Sequence, residues 1–145
     1  MVSAGKKLHK NDEKDAVMVK KSDWKTVEMP ESVEKFSVER VFTDEEIGYI
    51  KEGHKPEEME DKWFMYYENG CLYFHRSWTG FCIYIVDLSE KGRLNVTVNR
   101  NPEQYGEKNI EADRILLNIL IDRLLKQSNK DAGLMKKYLE MKRQS

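Results

Sequence analysis

The sequence predicts an α+β fold: a four-stranded antiparallel meander over about 62–99, a long helix over about 111–127 packed on it, and a short helix before the sheet over about 44–52. Three observations carry this. Two aromatic, β-prone runs meet at Asn69-Gly70, the strongest two-residue hairpin signal, because a type I′ turn needs positive φ at both positions. Two further apolar runs follow, each bounded by turn residues. The period then changes. In EADRILLNILIDRLLKQ a polar stripe of Arg114, Asn118, Asp122 and Lys126 recurs at i, i+4 spacing, and Ile and Leu cover the rest.

Taken in chain order, Met1 to Lys21 is polar, Lys-rich and aperiodic, which predicts a disordered basic tail over 1–21 ahead of a single α+β domain over 22–145. Trp24, Val27 and Met29 are apolar points that would anchor the next segment on the core. In Lys35 to Val41, Phe36 and Val38 alternate with polar neighbours, with Arg40 in the same phase, so this stretch reads as an edge strand. Thr43 is a helix N-cap, Glu46 completes a capping box and acids fill the first turn. Gly53 ends that helix, and an acidic loop with Pro56 follows.

The strands are read as Lys62 to Glu68, Cys71 to Trp78, Phe81 to Leu88 and Arg93 to Asn99. Thr79-Gly80 is read as a second tight turn, and Ser89 to Gly92 as a third. The loop RNPEQYGEKN leads to the long helix, and a last short helix is expected over about Ala132 to Lys142.

Turns fix register, and register fixes faces. From Asn69-Gly70 outward, Glu68 pairs with Cys71 and Trp63 with Arg76; a two-residue Thr79-Gly80 turn pairs Trp78 with Phe81, Arg76 with Ile83 and Phe74 with Ile85. One face then carries Trp63, Met65, Tyr67, Leu72, Phe74, Ile83 and Ile85, with Arg76, Trp78 and Phe81 at one end, to be covered by the apolar helix. The other carries Phe64, Tyr66, Tyr73, His75, Ser77, Cys82, Tyr84 and Val86, too aromatic to be left bare: the N-terminal segment and first helix cover it, or it binds something. The long helix is apolar beyond one packing surface. It is therefore sandwiched, or it meets a second copy, so a homodimer through this helix or the aromatic sheet face is expected.

Bulk properties exclude several classes. At 145 residues, 39% hydrophobic and 35% charged, the chain has the size and balance of one globular domain. It has no apolar run of the roughly 18 residues a membrane span needs and no signal-peptide pattern, so no membrane partner and a cytoplasmic location are expected. The net charge of −1 argues against nucleic acid as a partner. That charge is uneven: Met1 to Lys21 nets +3, Val41 to Gly70 nets −6 and Gly133 to Ser145 nets +3. Two cysteines, Cys71 and Cys82, make neither a disulfide framework nor a zinc site and read as buried thiols.

His75-Arg76-Ser77-Trp78-Thr79-Gly80 is the stretch richest in ligand-binding groups. Arg offers a planar fork for phosphate or carboxylate, Trp a stacking face, Ser and Thr hydroxyls, and Gly close access to the backbone. A purely structural alternative makes Arg76 and Trp63 a cross-strand cation–π pair. The loop from Asn99 to Tyr105 is the second candidate, with Arg100 and Tyr105 leaving a rigid sheet. The expected ligand-binding set is Trp63, His75, Arg76, Ser77, Trp78, Thr79, Arg100 and Tyr105. No catalytic set, metal site or cofactor is expected; Cys71 or Cys82 with His75 lacks any flanking nucleophile motif.

The stretch EDKWFMYYENGCLYFHRSWTGFCIYIVDL, with the downstream VNRNPEQY and an apolar C-terminal helix, resembles a family of short bacterial and phage-borne proteins with a WF…YFHRSWTG…IY core. The resemblance spans about Thr43 to Leu125 and implies a fold, with no activity or catalytic residues to carry over. Three functions are weighed. The first is a non-enzymatic binding module for an anionic, nucleotide-like small molecule, sequestering a signalling nucleotide in one version. Arg76 and Arg100 would hold phosphates, and Trp78 or Trp63 would stack the base. The second is a protein-interaction or immunity-type module using the acidic patch of 44–61 and exposed aromatics. The third is a small hydrolase on a nucleotide or ADP-ribose-type substrate, with His75 as acid–base and Glu60 or Asp61 as its partner.

Overall fold

Local signals become the expected elements first. In a computed structural model that describes residues 18–125 and 140–142, a 3₁₀ turn at Lys21–Asp23 is followed by β1 (Val33–Glu39), α1 (Asp44–Glu52), β2 (Trp63–Glu68), β3 (Cys71–Arg76), β4 (Cys82–Asp87), β5 (Arg93–Asn99) and α2 (Ile110–Leu124). Thr43 Oγ1 accepts from Glu46 N at 3.1 Å and Glu46 returns a carboxylate oxygen to Thr43 N at 2.9 Å, the expected capping box. Gly53 closes α1 at φ +73°, donating to Ile50 O. Its freedom is required: a Cβ there would lie 2.5 Å from Met65 O.

The sheet has five antiparallel strands in the order β1-β5-β4-β3-β2, not four. The strand expected over Lys35 to Val41 starts and ends two residues earlier, and β1 pairs along its whole length with β5; Phe36 opposite Val96 and Val38 opposite Leu94 turn inward as their alternation implies. A strand so matched to a half-buried neighbour gains a full ladder, so the meander is extended rather than left with β5 at its edge.

The first hairpin has the expected register from Glu68↔Cys71 to Trp63↔Arg76, with Asn69 at φ +52° and Gly70 at φ +83°. The second hairpin departs from expectation. Arg76 N donates to Phe81 O and Gly80 N to Arg76 O, so Ser77–Gly80 is a four-residue turn, and the register then slips between Phe74 and His75. Phe74 faces Tyr84 and His75 faces Cys82, leaving Ile83 as the extra residue of a bulge. Everything beyond changes side: Tyr84 and Val86 join the core under the helices, while Ile85 lines the opposite face with Tyr66, Tyr73 and His75.

α1 and α2 share one face of the sheet. Ile50, Leu117, Leu120, Ile121 and Leu124 pack with Trp63, Met65, Leu72, Phe74, Tyr84 and the inward residues of β5. At about 25 cal/mol per Å² of apolar area removed from water, this cluster is the main source of stability. The first helix therefore does not cover the aromatic face, as one reading had it. The segment at residues 18–29 does: Val19 N donates to Glu52 O, Trp24 stacks on Phe64 at 6.1 Å, and Val27 N donates to Gly80 O at 2.8 Å.

α2 is buried nearly all round, including Ile115 and Ile119 outside the main cluster, and Arg114, Asn118 and Asp122 of its polar stripe are spent internally, Lys126 lying outside the described residues. Arg40 donates to Asn118 at 2.7 Å and to Asp122 at 2.5 Å, and Arg114 lies over Phe36 and donates to Ser37 O. The breadth of its apolar surface is thus taken up within the chain. Among the described residues no helix is long and apolar enough to cross a membrane. The expected basic tail and the last short helix lie outside the described residues, apart from 18–21 and the helical residues 140–142.

Candidate functional site

The HRSWTG segment becomes the β3–β4 turn, and most of its polar groups bind the chain itself. Ser77 Oγ donates to Asp61 O at 2.7 Å, Ser77 N to Lys62 O, and Ser77 O accepts the Trp24 indole at 2.7 Å. Thr79 Oγ1 accepts from Phe81 N at 3.2 Å. Gly80, at φ +82°, does not admit a ligand to the backbone in the way its sequence suggests; the approaching backbone is the chain's own, with Lys25 O 3.1 Å from where a Cβ would stand. Arg76 lies over the Trp63 ring at 5.0 Å, the cross-strand pair of the structural alternative, and Trp63 is buried between it and Tyr84, 6.3 Å away.

His75 is buried against Phe64 and Tyr66. Its Nδ1 lies 2.9 Å from Gly80 O, which can only accept, so Nδ1 carries the proton. Burial pushes the imidazole below its ordinary pKa; the Gly80 hydrogen bond pulls the other way and Lys21 adds to the lowering. Cys82 pairs with His75 across the strands, but burial pushes its thiol up to about 12. A neutral thiol beside a neutral imidazole is not the ion pair that activates a nucleophilic cysteine.

Arg100 and Tyr105 do not join Arg76. Arg100 is clamped between Glu34, 2.7 Å away, and Asp113, 2.6 Å away, and also donates to Glu107 O. Asp113 is fully buried at the start of α2 and accepts from Tyr84 and Tyr105 hydroxyls, each at 2.7 Å. Burial pushes the Tyr84 phenol far above its ordinary value, with Tyr105 and Asp113 beside it adding to the rise. Asn99, beside Arg100, is also consumed, donating to Cys82 O and Gln104 and accepting from Asn101 N. This constellation ties the end of the sheet to α2, and the set expected to hold an anion divides into two separate structural clusters.

Trp78 remains. Its side chain stands on the turn 57% exposed, yet it is held: Nε1 donates to Met59 O at 3.0 Å and the Lys62 ammonium lies 4.8 Å from the ring centre. Met59 beside it is 72% exposed. Trp24, Lys25, Met59, Ser77 and Trp78 wall an open groove of about 580 Å³, which a second hollow continues past Pro56, Glu57 and Glu58. Sequence reasoning missed Trp24 and Met59; the one usable signal was a lone apolar residue inside the acidic run EEMED.

The other side of the same acidic loop borders a cavity of about 380 Å³ with Glu60, Trp63, Met65, Leu120 and Arg123 in its wall. Here His54 Nε2 meets Asp61 Oδ2 at 2.5 Å, a pairing the sequence reading did not foresee. Asp61, weighed as a partner for His75, is committed to His54 and to the Trp63 amide. Among the described residues no group of three or more His, Cys, Asp or Glu could hold a metal ion. No family model, no curated protein and no solved structure matches this chain.

Proposed function

We propose that this chain is a protein-interaction module whose recognition surface is the Trp24–Met59–Trp78 groove with its acidic rim, and whose partner presents a bulky apolar residue flanked by basic ones. The observation that carries this reading is Trp78: a large aromatic, more than half exposed, held in one orientation by a hydrogen bond and a cation. Indole rings so placed are typical interface anchors, because they bury much area and have little rotamer freedom left to lose. Met59 gives an adaptable apolar neighbour. Glu57 and Glu58 in the adjoining hollow, within a stretch netting −6 that outweighs Lys25 in the groove wall, favour a basic partner and speed its approach at low salt.

The anionic-ligand reading has less support. Of its two arginines, Arg100 is saturated by carboxylates and Arg76 is stacked on Trp63. Selection of a random peptide display library on the folded chain tests the proposal. Enriched peptides should carry Lys or Arg beside a bulky apolar residue and bind at least tenfold more weakly to Trp78→Ala. Enrichment of acidic peptides, or binding unchanged in Trp78→Ala, would overturn it.

A further inference from the structure

Beside the strap formed by residues 18–29 lies a cavity of about 260 Å³ that shares no lining residue with the groove. Its walls include Tyr66, Tyr73, Ile85 and Cys82 from the sheet and Val27 and Met29 from the strap. His75 also lines it, and His75 Nε2 is buried with no hydrogen-bond partner among the described residues. The other ring nitrogen, Nδ1, is fixed by Gly80 O. Nε2 has almost no accessible area, so a donor in the cavity reaches it only as the wall yields. It is an acceptor in want of a donor, and leaving such a group unpaired is costly.

We infer that this cavity binds an uncharged planar heterocycle carrying a ring N–H, of the nucleobase or related lactam type, which donates to His75 Nε2. Three observations select that class. The donor must be supplied by the ligand, since Nε2 is an acceptor. The walls are aromatic and apolar: Tyr66 stacks on Tyr73 at 4.7 Å and on His75 at 5.7 Å, with Met29 and Ile85 in reach of the same space. The charged residues of the wall are Lys21 against Glu28 and Glu68, one cation against two anions, which disfavours phosphate or carboxylate ligands. Size agrees as well: drug-sized ligands occupy roughly 300–1,000 Å³, and this smaller space suits one or two fused rings. Burial keeps the Tyr66 and Tyr73 phenols and the Cys82 thiol protonated, which leaves Glu68 as the charged group on the sheet side of the cavity.

The test uses the full chain with ¹⁵N-labelled histidine, titrated with adenine, hypoxanthine, uracil and cytosine. The Nε2 resonance is followed by long-range ¹H–¹⁵N correlation and the melting temperature is measured in parallel. The expected result is a saturable upfield shift of Nε2 with at least one base and a matching rise in melting temperature. That rise should persist in Trp78→Ala and vanish in His75→Phe, which keeps a ring and removes the acceptor. An Nε2 resonance that no base moves overturns the inference, as does a thermal gain that survives in His75→Phe. The wild-type titration decides the matter even where His75→Phe does not fold.

Discussion

The two loops that look richest in binding groups, Ser77–Gly80 between β3 and β4 and 99–109 between β5 and α2, end in opposite conditions. The second is drawn inward: Arg100, Tyr105, Asn99 and Glu107 each find partners, most of them distant in sequence. The first spends its hydroxyls on the backbone and presents an indole to solvent. The same residue types therefore serve as struts in one loop and as surface in the other. What separates them is the presence of a buried counter-charge. Asp113 enters the core at the first turn of α2, and an unpaired carboxylate there would be prohibitive, so the nearby arginine and phenols are recruited to it. Among the described residues, no buried acid belongs to the Trp78 turn or its partners.

The comparison is broken most severely at that carboxylate. Asp113→Ala should cost about 3–5 kcal/mol, since it leaves Arg100 with Glu34 as its one carboxylate and removes the acceptor that two phenols share; urea unfolding measures it, and a loss below about 1 kcal/mol would mean the cluster is not a strut. Next comes the seam between the strap and the β3–β4 turn. Gly80→Ala forces a Cβ into positive φ against Lys25 O and should cost about 1–3 kcal/mol, with a new protease-sensitive site within residues 18–29. Unchanged proteolysis would show that the strap does not depend on this contact.

A third measurement concerns pH. The native imidazole of His75 titrates below its ordinary value of 6.5, so the unfolded chain takes up the proton first as pH falls. The resulting stability is fully present above about 6.5 and is lost as pH drops from there towards the lowered native value. Denaturation at pH 7.5 and 5.5 should show a fall that is smaller in His75→Phe; equal falls in both proteins would assign the effect to other groups. The smallest effect on stability is expected at the exposed loop: Trp78→Ala should change it by no more than about 0.5 kcal/mol, as surface substitutions usually do. A larger loss would make Trp78 a strut like Tyr105.

Elements governed by neighbours in sequence were legible in full. The Asn69-Gly70 turn set the β2–β3 register, and Thr43, Glu46 and Gly53 set both ends of α1. Of the candidate site, Trp78 was legible as an available ring, and Arg76 over Trp63 followed from the hairpin register. The roles of Arg100 and Tyr105 were not, because Glu34 and Asp113 lie on elements whose placement no local pattern states. The β4 faces were lost for a related reason: Thr79-Gly80 resembles a tight turn, but the chain takes four residues and a bulge, which puts Tyr84 rather than Ile85 beneath α2.

By itself, then, the sequence determined the secondary elements, the first hairpin, the inward faces of β1 and the apolar character of α2, since each depends on backbone preference and hydrophobic period within a few residues. Only the tertiary structure decided that β1 closes the far side of the sheet, that the strap fills the space beside Gly80, and which arginine is clamped by carboxylates and which indole is exposed. These outcomes depend on distant groups competing for one desolvated volume, where a charge must find its partner or stay in water.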